Sequence, residues 1–200
     1  MLIIGLTGGI GTGKSTVAGM FEEYKIPVFY ADKAAKQALG KIAQTKEAQQ
    51  MLPEIFDMKN FSREKIADKI FANAEIRKKL EAILHPYILM KITLFIEEYE
   101  KKNAPFVVLE VPLLFEVGWN SFCNEIICVV ADQASQEQRV LSRAGMTLER
   151  FEAIKRSQMP ESKKQQKSDF LINTNCNVSE TKDKVLEFIE SISLQNDSRL

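Results

Sequence analysis

The sequence predicts an α/β protein of three layers, with a five-stranded parallel sheet between helices. Three observations carry that prediction. Five short apolar runs alternate with helix-patterned stretches. Two of the runs, Phe106 to Val111 and Glu125 to Ala131, are almost unbroken, as suits strands buried on both faces. Residues Gly8 to Ser15 read G-G-I-G-T-G-K-S, the phosphate-binding pattern G-x-x-x-x-G-K-S, and they lie between a strand and a helix as that pattern requires.

The elements follow in order. Leu2 to Leu6 is a first strand. The helix after the loop begins near Lys14, with Val17, Met20, Phe21 and Tyr24 on one face. Pro27 to Tyr30 is a second strand, closed by Ala31-Asp32, and residues 33–52 read as helical. Residues 62–102 carry strong helical patterning through Ile66, Ile70, Ile76, Leu80, Ile83 and Leu84. Pro86 is expected to break that run after His85 and to open a second helix, about 86–102. Strands three and four follow. Residues 133–167 read as basic helices with turns at Ala144-Gly145-Met146 and Met159-Pro160. Phe170 to Ile172 is a fifth strand, and Val185, Leu186, Phe188, Ile189 and Ile192 face inward from a closing helix. The polar tail from Gln195 is expected to fray.

This order implies three parts. Residues 1–32, 104–132 and 168–200 form a nucleotide-binding core. Residues 33–103 are too long for a simple crossover and read as an inserted helical subdomain for the second substrate. Residues 133–167 read as a lid.

Composition narrows the function classes. Lys+Arg and Asp+Glu both number 27, so there is no basic excess of the kind a nucleic-acid or anionic-membrane binder carries. The apolar runs are too short to span a membrane. The chain opens on a strand without a basic leader or a small-residue cleavage site. The cysteines Cys123, Cys128 and Cys176 lack metal or redox spacing and fit idle thiols in a reducing cytosol. A cytoplasmic protein with small-molecule partners, no nucleic acid and no membrane is expected, either monomeric or weakly homo-oligomeric.

The candidate site starts at the loop. The amides of Gly9, Gly11, Thr12 and Gly13 can cradle phosphates, beside the positive end of the helix that carries Ser15 and Thr16. Lys14 can reach the β- and γ-phosphates of a bound nucleotide, and the Ser15 hydroxyl can hold Mg²⁺. Asp32 follows the second strand, where ligands of open α/β sheets bind. It reads equally as a general base for an attacking hydroxyl or as a helix N-cap. Arg139 and Arg143 lie one helical turn apart and can close on phosphates, or simply form a solvated basic face. His85, the only histidine, can contact substrate or fix a turn. The segment Pro112 to Glu116, with Leu113, can line an acceptor pocket or pack in the core. Glu110 can act as an acidic site residue or sit inward on its strand.

Together these pieces resemble the dephospho-coenzyme A kinase family, over nearly the whole chain. The carriers are Gly5 to Ala18, Ala31-Asp32, Ile70 to Asn73, Leu80-Glu81, Leu84-His85-Pro86, Val111 to Glu116, Gln138-Arg139, Arg143 and Gln158. The resemblance implies a P-loop kinase fold and transfer of the ATP γ-phosphate to the 3′-hydroxyl of dephospho-CoA, with ATP and Mg²⁺ held by Lys14, Ser15 and the loop amides. It further implies Asp32 as base, Arg143 as a lid contact to phosphate, and His85 and Leu113 facing dephospho-CoA. Three positions, in two segments, depart from the family pattern. Tyr30 stands where the family has a first aspartate. Thr174 and Cys176 replace an asparagine and a glycine near the adenine, where Asn173 or Asn175 can substitute. Other small-metabolite kinases, of the shikimate or gluconate type, also place a carboxylate after the second strand, but the large insert with Leu84-His85-Pro86 argues against them. A GTP-dependent switch would need N-K-x-D and D-x-x-G segments, and neither string occurs.

Overall fold

The computed structural model describes residues 1–53, 55, 66, 69 and 73–197. Five parallel strands form one sheet: β1 (Leu2–Gly8), β2 (Val28–Tyr30), β3 (Phe106–Glu110), β4 (Glu125–Val130) and β5 (Phe170–Asn173). Their spatial order is β2-β3-β1-β4-β5, so the strand that feeds the phosphate loop is central. Leu2 pairs with Phe106 and Gly8 with Val129.

Side chains alternate across a strand, and this sorts the two faces. Ile4 and Leu6 enter a fully buried cluster with Val17 and Phe21 of α1 (Lys14–Glu23) and with Val185 and Phe188 of the closing helix. Phe21 meets Phe188 edge to face at 6.2 Å. The alternate residue Gly5 looks the other way: a Cβ there would lie 2.8 Å from Leu114 and from the Cys123 sulfur. That second face is closed by the segment after β3. Replacing Phe21, which has no exposed surface, by alanine is expected to cost about 3–5 kcal/mol of stability in urea unfolding.

Two compact units divide the chain: residues 1–30 with 96–200, and residues 31–95. The second unit holds α2 (Ala31–Ile42), α3 (Lys46–Met51) and most of α4 (Ala74–Lys101). The predicted 33–52 helix is therefore interrupted, and Thr45 caps its second part by accepting the Ala48 N–H at 3.3 Å. Ile66 and Leu80 are buried with Ala48, Leu52 and Ile55, and Ile76, Ile83 and Leu84 pack on them. The predicted contribution of Ile70, and most of the 62–72 stretch, lies outside the described residues.

The expected break at Pro86 does not occur. α4 runs unbroken from Ala74 to Lys101 with Pro86 inside it. A mid-helix proline loses one donor and crowds the carbonyl four residues back, at a cost of about 3 kcal/mol. Leu80 before it, and Ile88 and Ile92 after it, are all buried. Each such side chain contributes about 1.5–3 kcal/mol, enough to carry the helix through.

The remaining helices are α5 (Gln133–Leu141), α6 (Leu148–Ser157), α7 (Glu161–Gln166) and α8 (Val178–Asp197). The last extends beyond Gln195, where the sequence predicts fraying. No described helix is long and apolar enough to cross a membrane.

Candidate active site

The loop from Gly8 to Ser15 is shaped by glycines in left-handed backbone. Gly11 (φ +79°) and Gly13 (φ +90°) hold conformations that L side chains rarely adopt. At Gly11 a Cβ would also strike the Gln136 backbone at 2.7 Å. Gly13 is the N-cap of α1 and supplies no side-chain cap, so the first-turn amides and the helix dipole face the loop. Lys14, 9% exposed, folds back so that its ammonium donates to the Gly9 carbonyl at 2.7 Å. Thr12 is buried and donates to the same carbonyl, while Ser15 and Thr16 are exposed.

A cleft of about 350 Å³ opens beside this loop, lined by Gly11, Gly13, Thr16, Arg139, Arg143 and Thr174 among others. The two arginines differ in kind. Arg139 is a fixed strut: Nη2 donates to the Thr174 carbonyl at 2.7 Å, and Nη1 donates to the Thr174 hydroxyl at 2.9 Å and to the Gly11 carbonyl at 3.4 Å. The Thr174 hydroxyl in turn donates to the Thr12 carbonyl at 2.8 Å. Arg143, beyond the end of α5, is exposed on the cleft wall. Cys176 and Thr181 line the base of the cleft with Thr174. Asn175 is not among the lining residues; its side-chain carbonyl accepts the Asp132 N–H at 2.9 Å.

The residues that follow α6 and the segment after β3 meet near the loop. Gln158 Oε1 accepts the Ile10 N–H at 3.0 Å, and Glu116 accepts the Met159 N–H at 2.7 Å. Glu110, at the end of β3, is 3% exposed. Tyr30 donates to Glu22 at 2.8 Å. Burial, then the hydrogen bond and charge of Glu22 and the charge of Glu110, hold the Tyr30 hydroxyl protonated well above its ordinary range. Burial also pushes the thiols up, Cys123 to about 12 and Cys128 to about 11, so both stay protonated near neutral pH.

In the other unit, Asp32 is the second residue of α2, directly after β2 in the chain. It lies inside the first turn rather than at the cap, and its carboxylate is exposed. A negative group in that turn is favoured by the helix dipole. His85 is half-buried within continuous α4, so it fixes no turn. Leu113 is half-buried beside the fully buried Leu114.

Sequence reasoning passed over the role of Thr174, visible only as a departure from a pattern, and the buried Lys164 of α7. Nothing in the residue string distinguishes Lys164 from the solvated lysines around it.

The chain has clear relatives. The dephospho-CoA kinase family model matches residues 2–180. A dephospho-CoA kinase of Brucella abortus is 36% identical over 194 residues, covering 96% of each chain. A solved Thermus thermophilus protein superposes with a TM-score of 0.81 at 33% identity, over 95% of this chain and 96% of that one. The dephospho-CoA kinase of Campylobacter jejuni gives a TM-score of 0.70 at 26% identity, over 97% and 98%.

Proposed function

The chain belongs to the dephospho-CoA kinase family, and from that membership we propose the reaction and the residues that carry it. The enzyme is an ATP-dependent phosphotransferase of CoA biosynthesis. It moves the ATP γ-phosphate to the 3′-hydroxyl of dephospho-CoA, giving CoA and ADP. The observation that carries this reading is the family match over residues 2–180, joined to a phosphate loop in which every glycine, Lys14 and Ser15 are present.

In the mechanism we assign, the loop amides from Gly9 to Gly13 and the first turn of α1 receive the β- and γ-phosphates. Lys14, anchored at Gly9, brings its ammonium charge to the same oxygens. Arg139 holds the cleft wall to the loop, and Arg143, exposed on that wall, is the guanidinium that meets the transferred phosphoryl group. Asp32 accepts the proton of the attacking hydroxyl. His85 and Leu113 are assigned to dephospho-CoA.

Mg²⁺ fits this arrangement. It usually keeps waters and phosphate oxygens and needs only one or two protein oxygens, and the Ser15 hydroxyl is exposed at the helix start. Among the described residues no cluster of three or more His, Cys, Asp or Glu side chains competes for that role. When bound, the ion neutralises charge on the phosphate oxygens. We assign the protein to the cytoplasm, as a monomer or weak homo-oligomer with ATP and dephospho-CoA as its partners.

The test is ADP release with ATP, Mg²⁺ and dephospho-CoA, against shikimate, gluconate and no acceptor, with product mass measured. Stimulation by dephospho-CoA alone, and a product heavier by one phosphoryl group, is expected; stimulation by another acceptor instead overturns the assignment. A second expectation concerns the strut. Thr174→Val keeps the side-chain shape but strips the hydroxyl from Arg139. Loss of that charge-assisted hydrogen bond, together with the one the hydroxyl donates to the Thr12 carbonyl, should weaken binding of a non-hydrolysable ATP analogue by about 10-fold or more in calorimetry.

A further inference from the structure

Lys164 lies in α7 with a side chain that has no exposed surface. A lysine is almost never fully buried unless it is paired. Its ammonium meets Glu116 Oε1 at 2.9 Å and donates to the Pro112 carbonyl at 2.7 Å. Both partners belong to one short segment, the residues that follow β3. The Pro112 carbonyl also accepts the Thr7 hydroxyl, at 3.3 Å, from the strand that enters the phosphate loop. One turn earlier on α7, the Glu161 carboxylate packs directly against Gly9 of that loop. At the start of this stretch Gln158 binds the Ile10 N–H, and the Met159 N–H reaches the same Glu116 oxygen that Lys164 holds. The run from Gln158 to Lys164 is thus tied to the phosphate loop on one side and to residues 112–116 on the other.

We propose that Lys164 is a positioning residue for phosphoryl transfer: through Pro112 and Glu116 it fixes the 112–116 segment, and with it the acceptor, relative to the phosphate loop. The proposal rests on the assignment of Leu113 to dephospho-CoA. A buried ammonium suits the task. Two oxygens from one segment converge on a single charge, and in a site shielded from water each bond is stronger and less easily exchanged. In-line transfer is sensitive to placement, since a shift of about 1 Å costs on the order of 100-fold in rate. Lys164 touches neither substrate; it acts through the segment it holds.

The experiment uses the full chain and three variants: Lys164→Met, Glu116→Gln and the double variant. Wild type is run beside them with ATP, Mg²⁺ and dephospho-CoA, measuring ADP and phosphorylated product separately. Lys164→Met should lower kcat by about 100-fold and raise the KM for dephospho-CoA. Affinity for a non-hydrolysable ATP analogue should change less than about 2-fold, and more ADP should appear per product formed. The double variant should be no slower than Lys164→Met, because both changes break one link. Folding is checked by melting. If Lys164→Met does not fold, Glu116→Gln, which keeps the side-chain shape, decides alone through the same rise in KM and in ADP per product. Wild-type kinetics in a folded Lys164→Met or Glu116→Gln overturns the proposal, as does an equal loss of ATP-analogue affinity. Absence of product from wild type would instead overturn the assigned activity.

Discussion

Asp32→Asn is expected to bind ATP normally and to lose about 10²–10⁴-fold in turnover. The substitution changes almost nothing but the basicity of the group. Asparagine keeps the size of aspartate and is tolerated in the first turn of a helix. Asp32 is exposed and lies at the second position of α2, so no core packing is disturbed. The hydroxyl that attacks must shed its proton, and an amide cannot take it. Binding of an ATP analogue, measured by calorimetry, should match wild type, while ADP release with dephospho-CoA collapses. Near-normal turnover would remove Asp32 from the role of base. A loss confined to the KM for dephospho-CoA would make it a binding group instead.

Lys14→Met is expected to act on both affinity and rate. Methionine fills a similar slender volume, so the 9%-exposed site should repack. What disappears is the charge beside the phosphates and the 2.7 Å tie to the Gly9 carbonyl. Removing one preorganised donor from a transition state costs about 10²–10³-fold in rate. Weaker ATP binding comes in addition, because Lys14 meets the phosphates in the ground state as well. Steady-state kinetics with a melting control separates this from unfolding. Unchanged kinetics in a folded variant would move the phosphate site away from this loop.

What could be read from the residue string was local. The loop spacing, the unbroken runs of β3 and β4, and the Val17–Met20–Phe21 face each depend on neighbours within a few positions, and each appears in the fold as expected. Pro86 shows where that reasoning fails. Proline's preference is a local cost, whereas the burial of Leu80, Ile88 and Ile92 is decided by tertiary packing. Arg139 fails in the opposite sense. Its spacing from Arg143 predicts a shared helix face, yet α5 ends at Leu141, before Arg143, and three hydrogen bonds hold Arg139 to Thr174 and Gly11; residue spacing cannot reveal partners that lie 35 and 128 positions away. Lys164 and Glu116 pair across a similar distance, and charge alone gave no sign of which lysine is buried.

The strand order has a consequence for the time at which the phosphate site comes into being. β1 and its loop leave the ribosome well before both neighbours of β1, which are encoded far downstream, beginning at Phe106 and Glu125. Until those residues emerge, Gly8 lacks its pairing with Val129. Long-range parallel pairings of this kind form slowly, since the intervening chain must be closed first. The motif is therefore synthesised well before the strand that completes its sheet, and a nascent chain stalled before β4 carries the whole phosphate-binding sequence without the β1–β4 pairing that leads into the loop.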